Sequence, residues 1–103
     1  MARDRQQELQ IKLEELLGSR NVYYQPPESK KMGYPAIRFS KKRPDSKYAN
    51  NIIYSSLQCY EITVIDRDPD NPVISELLRM SYSSYDRHYT SDNLNHDVIS
   101  LYF

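Results

Sequence analysis

Two stretches of this chain carry side chains whose types and spacing could do chemistry. The first is Asp66-Arg67-Asp68-Pro69-Asp70-Asn71-Pro72, where alternate carboxylates can converge on one hard cation, as they do at the start of a calcium loop. An EF-hand loop opening at Asp66 needs glycine where Asn71 stands and a bidentate glutamate where Leu77 stands, so the likeness stops there. A turn leading into a helix accounts for the same aspartates, because carboxylates are favoured near the positive end of a helix dipole. The second stretch runs from Tyr85 to Asp97 and holds both histidines. His88 and His96 lie eight residues apart with no cysteine beside them, which does not fit the compact ligand spacing of a zinc site. Asp86 and His88 read as neighbours on one face of a strand, a hydrolytic pair without a nucleophile or an oxyanion-hole motif. A turn shaped by Asp92, Asn93 and Asn95, with the histidines bonded to backbone, is the plainer account. Gly18 and Gly33 are the only glycines, so there is no glycine-rich phosphate cradle. The expectation is a protein that is not an enzyme and uses no cofactor or metal.

Basic side chains cluster at Lys30-Lys31 and at Lys41-Lys42-Arg43 with Lys47, and nearby tyrosines could stack on bases. The totals argue for solvated loops instead: Lys plus Arg and Asp plus Glu are both 14, and no nucleic-acid-binding signature is present. A nucleic-acid-binding accessory protein is the first alternative reading, and a small hydrolase built on Asp86, His88 and His96 the second. No apolar run reaches the ~18–20 residues that cross a bilayer, and the polar start predicts a protein made and kept in a cytosol, with no membrane contact. Ten tyrosines, two phenylalanines and no tryptophan suit half-buried sheet faces and protein interfaces, because each tyrosine joins an apolar ring to a polar tip.

The elements that must hold these residues follow from periodicity. Leu9, Leu13, Leu16 and Leu17 form one stripe of an amphipathic helix over residues 3–17, with Ile11 on its far side and Gly18 closing it. Val22-Tyr23-Tyr24 before Gln25-Pro26-Pro27 reads as an edge strand. Residues 34–40 alternate around Ile37 and Phe39, and residues 57–65 set Tyr60, Ile62 and Val64 against Leu57, Cys59 and Ile65, as a central strand does. Cys59, the single cysteine, is expected to be a buried, inert thiol. Asn71 caps a short helix whose first residue is Pro72 and whose apolar residues are Val73, Ile74, Leu77, Leu78 and Met80. Strands over 83–89 and 96–103 follow, the last pointing Ile99, Leu101 and Phe103 inward. With 103 residues the chain fits one domain over 1–103, with a projecting loop or hairpin at about 41–56. The predicted class is α+β: a mainly antiparallel sheet of four to five strands, packed by an N-terminal helix and a second short helix.

Tyr60-Glu61-Ile62-Thr63-Val64-Ile65-Asp66-Arg67-Asp68-Pro69-Asp70 and Tyr85-Asp86-Arg87-His88-Tyr89-Thr90-Ser91-Asp92-Asn93-Leu94-Asn95-His96 resemble a family of small proteins encoded in the morphogenesis modules of long-tailed phages and prophages. The likeness spans nearly the whole chain, and the second stretch is the more distinctive. Such proteins are similar to tail terminators and tail-completion proteins, whose α+β subunits form rings, commonly hexameric, between the tail tube and the head connector. The resemblance implies a structural virion protein at the head-tail junction, made in the host cytoplasm. Its implied partners are copies of itself in a hexameric ring, the tail tube protein and the head connector or neck proteins, with passive contact to DNA in the channel. A ring subunit needs two complementary patches. The surfaces the sequence offers are Lys41, Lys42, Arg43, Tyr48, Ile52, Ile53 and Tyr54 on the long loop, and Tyr85, Arg87, His88, Tyr89 and His96 on the polar stretch.

Overall fold

The computed structural model describes residues 5–26, 33–42 and 57–103. The chain runs α1 (Arg5–Leu17), β1 (Val22–Tyr24), β2 (Ala36–Lys41), β3 (Cys59–Asp66), α2 (Pro72–Leu78), β4 (Ser83–Ser91) and β5 (Leu94–Tyr102). This is an α+β fold in the predicted order of helix, three strands, helix and two strands. One five-stranded sheet has the order β1-β2-β3-β5-β4. Three of its pairings are antiparallel, and β1 runs parallel to β2, with Val22 beside Ile37 and Tyr24 beside Phe39. That pairing departs from an all-antiparallel sheet for a simple reason. The stretch between Tyr24 and Ala36 is longer than a hairpin loop, so β2 can start again at the end where β1 started.

Both helices lie on one face of the sheet. Leu9 and Leu13 of α1 and Val73 and Leu77 of α2 enter one core with Ile37, Phe39, Tyr60, Ile62, Val64, Ile99 and Leu101. The strand members of that set recur at every second residue, which is the period that brings side chains to one side of a pleated strand. Phe39 and Tyr60 are fully enclosed, and each such burial stabilises by about 2–3 kcal/mol relative to exposure. Ile11 is 40% exposed on the far side of α1, as its helical position requires. Gly18 closes α1 at φ 77°, donating its N–H to the Glu14 carbonyl at 2.9 Å. Arg5 places its guanidinium 4.1 Å from the centre of the Phe103 ring, which ties the start of α1 to the end of β5.

The other face is buried through its middle as well. Ala36, Thr63, Ile65 and Val98, successive neighbours across β2, β3 and β5, have almost no exposed surface. Cys59 belongs to this face, and burial raises its thiol above the ordinary cysteine value. Near-continuous burial on both faces is what makes β3 the central strand. The expected loop at 41–56 falls mostly outside the described residues; Lys41 ends β2 and Lys42 follows it.

Candidate assembly surface

The polar stretch 85–97 folds into the β4–β5 hairpin. Ser91 faces Leu94 across a two-residue turn in which Asp92 and Asn93 have φ 53° and 62°. Positive φ at both central positions gives the tight turn whose twist matches a hairpin, and Asp and Asn tolerate it better than most residues. At the far end Ser83 faces Leu101. The register shifts between Tyr85 and Arg87, so Asp86 is one residue more than β5 can match, a β-bulge.

This bulge decides which side chains meet. Asp86 and Arg87 both turn toward the face without helices, where Arg87 Nη1 donates to Asp86 Oδ2 at 2.9 Å and Lys42 Nζ stands 3.9 Å from the same oxygen. Lys42 also donates to Ser100 Oγ at 3.3 Å. On that face the Tyr89 ring stacks on His96 with centroids 4.6 Å apart, and the Arg87 guanidinium lies 5.9 Å from the Tyr89 ring. His88 goes to the helix side, its Nε2 3.1 Å from Asn95 Oδ1, while Asn95 Nδ2 donates to the Arg67 carbonyl at 3.0 Å. Asp86 and His88 therefore lie on opposite faces. Their expected placement on one face fails because simple alternation has no room for the extra residue.

The structure brings Lys42, Asp86, Arg87, Tyr89 and His96 into one neighbourhood, with Tyr85 and His88 on the reverse of the same strand. Lys41 is exposed at the end of β2, and Tyr85, Arg87 and His88 are exposed on β4. Tyr89 is half-buried. His96 is only 9% exposed, and its Nδ1 lies 3.1 Å from the Leu94 carbonyl, so it supports Tyr89 from beneath. Arg43, Tyr48, Ile52, Ile53 and Tyr54 lie outside the described residues.

Asp97 plays a part that residue types alone did not single out. It is 7% exposed, and the Tyr85 hydroxyl donates to its Oδ1 at 2.7 Å. That bond, followed by burial, holds the Tyr85 phenol above its ordinary value. The available signal was position: Asp97 shares the inward parity of Ile99 and Leu101. Leu78, Tyr82 and Tyr34 are also large exposed apolar residues, outside the surface expected from sequence. Tyr34 joins Arg67, Asp92, Asn93 and Leu94 around an open depression of about 520 Å³ at the turn end of the sheet.

The acidic loop before α2 is a chain of local turns. The Asp68 N–H donates to Asp66 Oδ1 at 3.2 Å, and the Asp70 N–H to Asp68 Oδ1 at 2.9 Å. Asn71 Nδ2 donates to Asp66 Oδ2 at 2.7 Å, and Asn71 Oδ1 accepts the Val73 N–H at 2.9 Å, the helix cap expected from sequence. Among the described residues no group of three His, Cys, Asp or Glu side chains is placed to hold a metal ion. No helix among them is long and apolar enough to cross a membrane. No protein-family model, curated protein or solved structure matches this chain.

Proposed function

We propose that this chain is a non-enzymatic structural subunit of a tailed-phage particle, one copy of a homo-oligomeric ring that terminates or completes the tail and joins it to the head connector. The reading begins with the resemblance carried by residues 60–70 and 85–96. The observation that supports it best is the contrast within the sheet. Strands β3 and β5 are buried on both faces along most of their length, whereas β4 is exposed along most of its nine residues and forms an outer edge among the described residues. A long edge dressed with tyrosine, arginine and histidine suits a surface that is soluble before assembly and covered after it. The separation of Asp86 from His88 supports a role without catalysis.

The test is electron microscopy of the concentrated protein, alone and with isolated tail tubes, together with phage lacking the gene. Rings on tube ends and unjoined heads and tails are the expected results. Its absence from purified particles, while phage lacking it still join filled heads to complete tails, overturns the proposal.

A further inference from the structure

The two outer edges of the sheet are not equivalent. At β1 the Val22 N–H bonds to the Arg20 carbonyl at 2.8 Å, and the Val22 carbonyl accepts Gln10 Nε2 at 2.9 Å, so the chain's own groups satisfy the first residue of that three-residue edge. At β4 no strand lies outside among the described residues. The phase of its free backbone groups follows from the hairpin. The Tyr102 N–H bonds to the Tyr82 carbonyl at 3.1 Å, which makes these a bonded pair, and the turn makes Ser91 and Leu94 another. Alternation from both ends then aims the N–H and C=O groups of Ser83, Tyr85, His88 and Thr90 outward. The bulge sets two odd-numbered positions before Asp86 and two even-numbered ones after Arg87.

We propose that two copies of this chain pair in solution through β4, antiparallel, about a two-fold axis between Asp86 and Arg87. In that register Tyr85 meets His88 of the second copy, and Ser83 meets Thr90. All four outward positions of each strand find an outward position opposite, which allows about eight N–H···O bonds, two per pair. A strand without the bulge has outward residues of one parity, and its two-fold axis passes through a residue. That axis would set Asp86 against its own copy or Arg87 against its own. With the bulge, Asp86 faces the other copy's Arg87 twice on one side of the sheet, while Tyr85 and His88 meet twice on the other. A bulge normally spoils edge pairing because one strand is a residue too long. Here both strands carry the same extra residue at the axis, so the register matches on either side of it. The contact consumes the β4 of each copy and therefore stops at a pair. It needs no ring, tail or host component and does not depend on the reading above; the pair is then the contact that covers β4, and a ring is built from such pairs through other surfaces.

The experiment is sedimentation velocity on the full chain over a concentration series, with two sets of variants. The native chain should show a monomer–dimer equilibrium. Asp86→Arg alone and Arg87→Asp alone bring like charges together twice and should weaken the dimer about 10-fold or more. The double variant Asp86→Arg/Arg87→Asp restores opposite pairs and should return the dimer to near native strength. For the register, a Cys59→Ser background receives Ser83→Cys in one preparation and Thr90→Cys in another. Opposed residues of a bonded pair lie about 5.5 Å apart at Cα, inside the disulfide range. Oxidation should cross-link the mixture and neither preparation alone. A native chain that stays monomeric at every concentration overturns the proposal, as does efficient cross-linking of the Thr90→Cys preparation by itself.

Discussion

Tyr85→Phe removes one hydroxyl from the surface and one hydrogen bond from a buried carboxylate, and its cost can be worked from the structure. The hydroxyl lies 2.7 Å from Asp97 Oδ1, and Asp97 is 7% exposed. A bond to a charged acceptor contributes ~1.5–3 kcal/mol, but Tyr85 is itself 45% exposed and water competes for both partners, so the expected loss is about 1–2 kcal/mol. In a domain of this size that lowers the melting temperature by roughly 5–10 °C. The effect also has a pH signature. The bond to Asp97, and secondarily burial, raises the Tyr85 phenol in the folded chain. An acid whose value is raised on folding binds its proton more tightly in the native state. Its stabilisation is complete below the unfolded value of about 10 and disappears as pH climbs through the folded one. Urea denaturation of the native chain and of Tyr85→Phe, followed by far-ultraviolet circular dichroism, should show a constant stability gap from neutral to mildly alkaline pH and a closing gap above about pH 10. A variant as stable as the native chain at neutral pH, or a gap that does not narrow on the alkaline side, refutes the bond as a source of stability.

Five further substitutions or modifications probe the elements that position the surface. Asn71→Ala removes the cap on α2 and the link to Asp66, and should cost about 1 kcal/mol or somewhat more in the same denaturation assay. Leu13→Ala leaves a cavity where α1 meets the sheet and should cost about 2–5 kcal/mol, lowering the urea midpoint at unchanged slope. Asn93→Gly should be neutral or slightly stabilising, whereas Asn93→Val forces a β-branched residue to φ 62° and should cost roughly 1–3 kcal/mol. Cys59 should react with a thiol reagent only as fast as the chain opens, since burial both hides the sulfur and raises its pKa; immediate labelling of the native protein contradicts that placement.

Periodicity carried the elements because burial is periodic. Leu9 and Leu13 turn inward because they are spaced for a helix, and Tyr60, Ile62 and Val64 because they are spaced for a strand. The α2 cap was equally legible, since Asn-Pro before an apolar run satisfies the first helical N–H groups by local chemistry alone. The direction of β1 was not. Val22-Tyr23-Tyr24 reads as an edge strand whichever way its neighbour runs, and the choice lies in where the chain returns after Tyr24. His96 was legible as a polar residue near a turn but not as a buried one, because its burial depends on the Tyr89 ring across the ladder. Asp97 sat in plain view by parity and was hidden by residue type, since a carboxylate at an inward position makes sense only with the Tyr85 hydroxyl, whose own ladder partner is Ile99 two residues along β5, reaching it to donate.

The candidate surface itself turns on a feature that neither strand contains alone. At the turn, the two-residue loop sets Ser91 against Leu94; at the other end, the inward side chains Ile99 and Leu101 set Ser83 against Leu101. These two demands are one residue out of step, and each is separately expensive to violate. Moving the turn gives up the Asp92-Asn93 geometry that suits positive φ, and slipping the core end turns Ile99 and Leu101 out of the apolar cluster. The mismatch is absorbed where it costs least, on an exposed edge strand at Asp86, whose carboxylate has Arg87 and Lys42 beside it to offset the distortion. From that compromise the surface chemistry follows. The bulge turns Asp86 and Arg87 to one side and His88 to the other, so the residues that looked most like a catalytic pair are parted. The same step shifts the outward backbone groups of β4 from odd to even positions, and that change of phase is what makes the strand complementary to its own copy.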